Sequence, residues 1–344
     1  MSRKYTQIRV RPMGRREFVT LVGASLVAAS IGGCEESSQG MEVVGALEID
    51  PITSNDAFYI VSFYGMVEVD VASWTLELRK EGEVYASLDY AQLTAMESRE
   101  REHTLRCIES KPFDQRLSNA IWEGLPLLEI FSRAGIQVPM HLPHMRVTGA
   151  DGYETSLRTE DLTTPMWLVW RMNGEELPRA HGHPVRILNP GRYGWKNPKQ
   201  VTAIDFLAEP FVANWEKKYY FGDSPPTWAL HYGVQNLVVH PSHMELIDEG
   251  TGVRILGKAH AGSDPVVHVE ISTDGGGIWS DAELTYAPGA DRWTLWRHVW
   301  VPPGPGVYTV MTRCRTASGA ESTAGELEGP MPYTGSMGLE IEIV

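Results

Sequence analysis

Short apolar runs separated by glycine- and proline-containing turns fill the second half of the chain, from about Val234 to Ser322. The stretch "PVVHVEISTDGGGIWSDAELTYAPGADRWTLWRHVWVPPGPGVYTVMTRCRTASG" alternates apolar and polar residues and carries Asp-Gly and Pro-Gly pairs at roughly regular intervals. Alternation with period two is typical of half-buried strands, and turns at this spacing are typical of a β-sandwich. We therefore predict an all-β domain over residues 234–325, followed by a tail at 326–344.

The preceding segment, residues 48–210, mixes helix and strand patterns. "TSNDAFYIVSFYG" predicts a turn followed by an apolar strand, and "VEVDVASWTLELRKEGEVYASLDYAQLTAM" predicts strands followed by a short helix. "WEGLPLLEIFSRAGI" has apolar residues at helical spacing and Gly135 as the expected C-terminal cap. The runs "HMRVTGADGYETSLRTEDL" and "PVRILNPGRYGWKNPKQVTAIDF" predict a hairpin and a strand–turn–strand unit. This order favours an α+β fold, joined to the second domain by a linker at 211–233.

The first 33 residues have the pattern of an export signal: basic residues, an apolar run and small residues before Cys34. The apolar run, from about Phe18 to Ile31, is shorter than the about 20 residues of a spanning helix. "RREF" is typical of a twin-arginine signal, and "SIGGC" is typical of a lipobox. We expect residues 1–33 to be the signal, 34–47 a tether, and the mature protein to be periplasmic and lipid-anchored through Cys34. An ordinary membrane anchor or a Sec signal is the alternative.

Three cysteines and a net charge of −14 limit the function further. The acidic charge, without a basic stripe, argues against nucleic-acid binding. The sequence has no C-x-x-C-H motif, so we expect no haem in this chain. With Cys34 assigned to lipid, Cys107 and Cys314 remain, and a disulfide between them would suit an oxidising compartment. However, Cys314 lies on the apolar face of the strand-like run "VYTVMTRCR", which favours a buried small side chain instead.

Common catalytic motifs are absent from the sequence, including a Walker A loop, a G-x-S-x-G elbow, H-E-x-x-H and C-x-x-C. Two histidine pairs, "HLPH" (His141 and His144) and "HPSH" (His240 and His243), could suggest zinc. Each pair is interrupted by proline and has no nearby constellation of thiols or carboxylates. Surface loops are the default interpretation of both.

The run "LPRAHGHPVRILNPGRYGWKNPKQV" concentrates basic side chains among glycines and prolines. These side chains are His181, Arg186, Arg192, Lys196 and Lys199. Glycines allow backbone N–H groups to approach a ligand, and arginine supplies a planar fork of donors, so the pattern suits an anionic group. A solvated loop with scattered charge is the alternative on spacing alone.

Several ordered stretches resemble the sulfite oxidase family of molybdopterin enzymes. The basic loop is similar to the family's H-G-x-P-x-R pattern, and "GADGYETSL" and "WRMNGEELPRAHGHP" resemble two family stretches upstream of it. "NAIWEGLPLLEIFSRAGI" resembles the helix after the family's metal-binding cysteine. The resemblance covers about residues 45–325. It implies a molybdopterin-binding domain at 48–210, an immunoglobulin-like dimerisation domain at 234–325, a molybdenum–molybdopterin cofactor and a homodimer.

The resemblance also implies roles for individual residues. Cys107 matches the thiolate that ligates molybdenum. A thiolate is a soft ligand that suits this metal, and a metal-bound thiol is deprotonated. Tyr220, after "NWEKK" in the linker, matches the active-site tyrosine beside the metal, with a buried linker aromatic as the alternative. Cofactor contacts are implied at Tyr59, Ser62, Cys107, Asp151, His181, Arg186, Asn197 and Lys199.

Two stretches depart from the family pattern. The family's F-[VI]-R-N-H is "YIVSF" here, with Val61 for the arginine and Phe63 for the histidine. After the cysteine, "CIESKP" adds Glu109 and places Pro112 near the usual arginine, with Lys111 as the remaining cation. Losing arginines and adding a carboxylate weakens the binding of a dianion such as sulfite, and a lysine lacks the bidentate fork. The cofactor is therefore expected and sulfite as substrate is in question.

The resemblance implies oxygen-atom transfer on a small sulfur oxyanion or a related anionic or oxo substrate. Because no haem motif is present, electrons would pass to an external cytochrome or a membrane electron carrier. Two alternatives stay open: a periplasmic S- or N-oxide reductase of the same family, and a degenerate, non-catalytic lipoprotein that binds the cofactor poorly and serves in assembly or binding.

Overall fold

A computed structural model describes residues 43–45, 48–108, 116–164, 166–218, 233–322 and 338–344. Within these ranges the fold is mostly β, with four sheets of five strands each. The α+β expectation was therefore too loose, because the helices are short and sit at the ends of strands. No helix in these ranges combines the length and hydropathy needed to cross a membrane.

The part of the chain before residue 219 contributes two sheets and all the described helices. The helices are α1 (Tyr90–Thr94), α2 (Leu127–Arg133) and α3 (Asn214–Glu216), with 3-10 turns at Thr159–Thr163, Arg179–His181 and Gly194–Lys196. The strands are β1 (Val43–Val44), β2 (Thr75–Lys80), β3 (Glu83–Asp89), β4 (Arg99–Arg106), β5 (Leu117–Pro126), β6 (His144–Gly149), β7 (Glu154–Arg158), β8 (Trp167–Met172), β9 (Glu175–Glu176), β10 (Arg186–Leu188) and β11 (Val201–Leu207).

These two sheets enclose an apolar core. One sheet has the order β3-β2-β11-β6-β7, in which only β2 and β11 pair in parallel. The other has the order β10-β8-β5-β4, with β9 beside β8. Leu76, Leu168 and Ile130 are fully buried between the sheets and α2. Both predicted helices are present: Asp89 and Gln92 form a capping box on α1, and Gly135 has a φ of 70° just after α2.

The strand predicted in "TSNDAFYIVSFYG" is wrong, although the turn that precedes it is present at 55–57. Residues 58–65 form no strand. Side chains, rather than a neighbouring strand, bond this backbone: Ser118 Oγ accepts from the Tyr59 N–H at 3.3 Å, and Lys199 Nζ donates to the Val61 carbonyl at 2.9 Å. The apolar pattern of this segment instead reflects its place along the wall of a cavity.

The rest of the chain contributes two more sheets. Their strands are β12 (Gln235–His240), β13 (Glu245–Ile247), β14 (Gly252–His260), β15 (Val266–Ser272), β16 (Ser280–Asp281), β17 (Glu283–Tyr286), β18 (Thr294–Trp300), β19 (Gly306–Thr316) and β20 (Leu339–Ile343). One sheet has the order β1-β14-β18-β17 with β12 beside β14, and the other is β13-β20-β19-β15-β16. The predicted tether and tail therefore each contribute a strand. The two sheets agree with an all-β region, and the immunoglobulin-like assignment stays a prediction.

Contacts between the two halves fix the strand that leads to the candidate site. Thr104 of β4 accepts from the Trp293 N–H at 2.9 Å. Glu102 of the same strand pairs with Arg292 at 3.0 Å. Because Cys107 follows directly on β4, the second half of the chain holds this cysteine in place through the strand.

Candidate active site

A cavity lies where β4 ends and the 189–199 loop folds back towards residues 58–63. Its volume is about 90 Å³. Tyr220 lies outside the described residues. The cavity brings together all the other residues assigned from the sequence: Tyr59, Ser62, Cys107, Asp151, His181, Arg186, Asn197 and Lys199.

Cys107 reaches the cavity because residues alternate in direction along β4. Leu105 and Cys107 line the cavity together, and the cysteine side chain is buried, with 6% of its surface exposed. The Tyr59 phenol lies nearby: burial raises its pKa, and the neighbouring Cys107 raises it further. A Cβ at Gly194 would stand 2.8 Å from the Tyr59 hydroxyl, so this part of the wall requires glycine.

Cys314 has a different environment. It lies on β19 in the second half, where burial raises its pKa to about 12 and its thiol contacts the Gln235 carbonyl at 3.9 Å. Cys314 forms no disulfide in the part of the chain that the structure describes. The prediction of a small buried side chain is confirmed, and the alternative of a bond to Cys107 is not seen.

Arg186 is the most buried cation of the cavity, with 5% of its surface exposed. Its guanidinium donates to the carbonyls of His181 at 3.0 Å and Asn197 at 3.1 Å, and it stacks over Trp122 at 5.0 Å. Burial lowers its pKa to about 10. Its Nε is buried and has no partner among the described residues. A buried donor without a partner is costly, so a ligand that accepts from it would be stabilised.

Lys199 adds a second positive charge beside Arg186, and His181 adds a neutral imidazole ring. Lys199 Nζ donates to the carbonyls of Val61 and Ala180, each at 2.9 Å, and burial together with Arg186 lowers its pKa to about 8. Burial also lowers the pKa of His181 to about 4, and its Nε2 lies 2.7 Å from the Asn55 carbonyl. Because a carbonyl only accepts, Nε2 carries the proton of the neutral ring. An anion near these groups would favour their charged forms.

Asp151 is the only carboxylate among the described residues that line the cavity. Burial raises its pKa, while the N–H of Tyr153 at 3.0 Å and the nearby Lys199 lower it. The glycine at position 149 allows this approach, since a Cβ there would stand 2.8 Å from Asp151 Oδ1. Asp151 therefore balances part of the positive charge of the cavity.

The structure corrects the set of cations assigned to an anion. Arg192 pairs with Asp161 at 3.1 Å, and Lys196 pairs with Glu216 at 2.8 Å, so neither lines the cavity. The Asn197 amide is used within its own loop, where it donates to the Arg192 carbonyl and accepts from the Asn189 N–H. The basic loop thus divides into residues that face the cavity and residues that hold the loop in shape.

Sequence reasoning missed most of the apolar wall. Ile108, Tyr153 and Trp195 line the cavity, and Phe63 joins them, with its ring 6.1 Å from that of Tyr153. Tyr153 and Trp195 lie inside stretches quoted for the family resemblance, so their position there was an available signal. The direction of their side chains could not be read from the sequence.

The histidine pairs form no metal site in the described part of the chain. His141 is exposed, and His243 Nδ1 accepts from the Glu340 N–H at 3.1 Å. The described residues contain no group of three or more His, Cys, Asp or Glu side chains that could hold a metal ion. A metal in the cavity would therefore need other donors beside Cys107.

Two family models match the chain in order. The oxidoreductase molybdopterin binding domain matches residues 64–215, and the Mo-co oxidoreductase dimerisation domain matches residues 227–301. The first match contains Cys107 and all the described cavity residues after it. It begins after residues 58–63 of the cavity wall.

Curated relatives include mitochondrial sulfite oxidase of Homo sapiens, which is 30% identical over 206 residues, 53% of this chain and 38% of that protein. Sulfite oxidase of Gallus gallus is 27% identical over 288 residues, 71% of this chain and 62% of that protein. The NADPH nitrate reductase of Aspergillus niger is 29% identical over 202 residues, 50% of this chain and 23% of that protein. The chain thus matches less than two thirds of each of these proteins.

A solved structure supports the fold. The sulfane dehydrogenase SoxCD from Paracoccus pantotrophus superposes with a TM-score of 0.70 and 16% sequence identity, covering 92% of this chain and 90% of that chain. At this identity the likeness concerns the fold alone.

Proposed function

Since the chain belongs to the molybdopterin-dependent oxidoreductases of the sulfite oxidase family, we propose that it transfers an oxygen atom to or from a small sulfur-centred substrate. One observation carries this proposal: a buried thiol, Cys107, shares a cavity with the cationic group of Arg186 and Lys199 and with the neutral ring of His181. A cofactor that carries both a metal and a phosphate requires a thiolate to ligate the metal and cations to bind the phosphate.

The residues of the cavity fit molybdenum–molybdopterin. Arg186 Nε is a buried donor that an anionic group would satisfy. Gly182 has a φ of 119°, and a Cβ there would stand 3.1 Å from the Cβ atoms of both Arg186 and Lys199. Glycine at this position therefore lets the Arg186 and Lys199 side chains pack closely against the backbone. The histidine pairs elsewhere offer no comparable set of donors.

The protein's own contribution is binding, orientation and charge. When bound, the molybdenum supplies oxygen-atom transfer with a two-electron change. Cys107 would ligate the metal, while Arg186, Lys199 and His181 would hold the phosphate and pterin. Tyr59 would donate from its hydroxyl towards the thiolate of Cys107, since its raised pKa keeps it protonated. The apolar residues Leu105 and Ile108 exclude water beside the thiol.

Metal analysis and X-ray absorption test the ligand assignment. The protein should hold molybdenum at near-stoichiometric level, and Cys107→Ser should lose it or lower the sulfur coordination number by one. Cys314→Ser is the matched control, because this second buried cysteine lies on β19 and should leave both readouts unchanged. Full molybdenum occupancy with unchanged sulfur coordination in Cys107→Ser would reject Cys107 as the ligand.

An apolar wall favours a second candidate substrate class. Val61, Phe63 and Ile108 line the cavity, and Val61 and Phe63 replace an arginine and a histidine of the family pattern. Apolar side chains leave a dianion unsolvated and accept a neutral organic group. We therefore propose reduction of a neutral S- or N-oxide as the alternative to oxidation of a sulfur oxyanion. A non-catalytic binding lipoprotein is the third reading.

A two-way assay with an artificial electron carrier separates these readings. Turnover of sulfite in the oxidising direction would favour the oxyanion, and turnover of a sulfoxide with a reduced carrier would favour the oxide. Val61→Arg restores the charge of the family pattern and should improve the relative use of sulfite. A protein that holds little molybdenum and is inactive in both directions on panels of both substrate classes would favour the binding lipoprotein.

Location and partners extend this proposal. We expect export by a twin-arginine signal, a lipid on Cys34, and electron transfer to a separate cytochrome or membrane carrier. Tyr220 is proposed as the residue that bonds the substrate or the metal's oxygen. The match to a dimerisation domain at 227–301 supports a homodimer. Mass spectrometry of the mature N-terminus and its change in Cys34→Ala test the anchor, and light scattering tests the dimer.

A further inference from the structure

A buried ion pair lies directly behind the cavity and takes no part in the proposed chemistry. The side chains of Glu216 and Lys196 have 0% and 5% of their surface exposed, and their charged atoms are 2.8 Å apart. Burial lowers the pKa of Lys196, and Glu216 raises it. A buried pair of this kind often stabilises a fold no better than apolar residues of similar volume. The contribution of this ion pair is therefore expected in the positions that it fixes for neighbouring segments, rather than in the free energy of unfolding.

Glu216 joins three separate segments. Oε1 accepts from Thr155 Oγ1 at 2.8 Å, the Ser156 N–H at 3.1 Å and Lys196 Nζ at 2.8 Å. Oε2 accepts from Ser156 Oγ at 2.8 Å and from the Ala213 N–H at 3.0 Å. The carboxylate thus receives donors from β7, from the 3-10 turn at Gly194–Lys196 and from the start of α3. We call this group, Thr155, Ser156, Lys196 and Glu216, the carboxylate clamp.

Each segment of the clamp also supplies one aromatic ring. Tyr153 precedes Thr155 by two residues, Trp195 precedes Lys196, and Trp215 precedes Glu216. The Trp215 ring stacks on Tyr153 at 5.4 Å and meets Trp195 edge-on at 4.9 Å. Tyr153 and Trp195 line the cavity, and Trp215 supports both from behind. A shift of any one segment would therefore move a ring in the cavity wall.

Hydrogen bonds tie these rings to the same segments. The Tyr153 hydroxyl donates to the Trp195 carbonyl at 2.6 Å, and Trp215 Nε1 donates to the Glu154 carbonyl at 2.7 Å. Ring contact alone tolerates sliding, but a carboxylate with five fixed donors does not. The clamp therefore restricts the relative positions of the three backbones more tightly than the rings could.

We propose that Glu216 and Lys196 are positioning residues that fix the aromatic wall formed by Tyr153, Trp195 and Trp215, and thereby set how tightly the cavity holds its substrate. The kinetic part rests on the proposed oxygen-transfer function, while the structural part does not. The clamp touches neither the thiol nor the cationic group, so molybdenum content should survive its loss.

The structural test uses fluorine NMR of protein labelled with 5-fluorotryptophan, with Trp195→Phe and Trp215→Phe to assign two resonances. Glu216→Gln should shift or broaden both resonances, since a neutral amide cannot pair with Lys196 or accept the same set of donors. Asp291→Asn is the matched control: it also removes a mostly buried carboxylate paired with an arginine, Arg101, but lies outside the cavity. Both resonances at wild-type positions in Glu216→Gln would overturn the proposal.

The kinetic test uses molybdenum-loaded protein and whichever substrate the two-way assay identifies. Glu216→Gln should raise KM about tenfold with kcat nearly unchanged, the pattern of lost uniform binding. Asp291→Asn should leave KM unchanged at a comparable loss of thermal stability. An equal KM in the two variants would overturn the claim on substrate binding. An inactive wild-type protein would count against the proposed function and leave the NMR test standing.

A double variant covers the case in which Glu216→Gln does not fold. Lys196→Met with Glu216→Leu removes both charges and leaves no buried charge unpaired, so the fold should survive. The tryptophan resonances should still shift, because the donors from β7 and from Ala213 lose their acceptor. Unchanged resonances in a folded double variant would show that ring packing alone sets the wall.

Discussion

Lys196 and Glu216 pair in the interior behind the cavity, with 5% and 0% of their side chains exposed, whereas Arg313 and Glu270 pair at the surface of the C-terminal sheets, with 50% and 23% exposed. In the region around the cavity, residues 48–218, buried charged side chains form hydrogen bonds that hold irregular backbone segments in place. The C-terminal sheets bury apolar side chains between regular strands. Irregular segments lack ladder hydrogen bonds, so buried polar side chains must take their place.

This difference predicts that substitutions in the two regions fail in different ways. Changes near the cavity should alter ligand binding more than the free energy of unfolding. Changes in the C-terminal core should lower the free energy of unfolding and leave the bound cofactor of the folded molecules intact.

The largest effect on cofactor binding is expected for Arg186→Met. Arg186 is the buried cation whose Nε finds no partner among the residues that the structure describes. A hydrogen bond to a charged group contributes about 1.5–3 kcal/mol, or roughly 10- to 150-fold in affinity. Molybdenum content after dialysis measures this loss. Arg192→Met is the control from the same loop, because Arg192 pairs with Asp161 outside the cavity and should retain the metal. Equal retention of molybdenum by both variants would contradict the division of the basic loop into residues that face the cavity and residues that hold the loop in shape.

A large loss of stability is expected for Trp296→Ala in the C-terminal core. Trp296 is fully buried, and its Nε1 donates to Asn236 Oδ1 at 3.0 Å. Removing a buried tryptophan costs about 3–5 kcal/mol of unfolding free energy. Urea titration measures the cost, and molybdenum per folded molecule should stay at the wild-type level. A fall like that of Arg186→Met would show that the two regions are not separable.

Two buried histidines, one in each region, allow the regions to be compared through the pH dependence of stability. Burial lowers the pKa of both His181, in the cavity, and His260, on β14, to about 4. Since the unfolded chain protonates them near pH 6.5, the cofactor-free protein should lose stability as pH falls from about 6.5 to 4, by up to about 3 kcal/mol per histidine. Below pH 4 both states bind the proton and the loss stops.

The cofactor should separate the two histidines. A bound anion beside His181 raises its pKa, while His260 keeps its low value because it lies outside the cavity. Ring NMR signals, assigned with His181→Gln and His260→Gln, measure both titrations in cofactor-free and loaded protein. Parallel shifts of the two signals on loading would contradict the placement of the anion.

The features that the sequence could predict differ between the C-terminal sheets and the region around the cavity. The C-terminal strands and the burial of Cys314 follow from period-two alternation, which is local. The cavity residues came from ordered motifs, and the structure places eight of them together although it does not test their roles. The carboxylate clamp was not predicted, because Ser156 and Glu216 are 60 residues apart and no local pattern connects them.

Two errors have a common physical cause. Residues 58–65 read as a strand because they are apolar, yet that pattern reflects the cavity wall. Lys196 and Arg192 were grouped with Arg186 because all are basic, yet they face Glu216 and Asp161. Composition reports which residues a loop contains, whereas the partner that each side chain reaches is decided by tertiary contacts.

The smallest effect is expected for Glu270→Gln on the surface of the C-terminal sheets. Glu270 accepts from Arg313 Nε at 2.7 Å and from a terminal guanidinium nitrogen of Arg313 at 2.8 Å. This bidentate ion pair is exposed to solvent. Exposed pairs contribute about 0–1 kcal/mol because solvent and salt screen them. Urea titration should show a loss below about 0.5 kcal/mol that shrinks at high salt. A loss as large as that of Glu216→Gln would mean that burial does not distinguish the two ion pairs, and the contrast between the regions would fail.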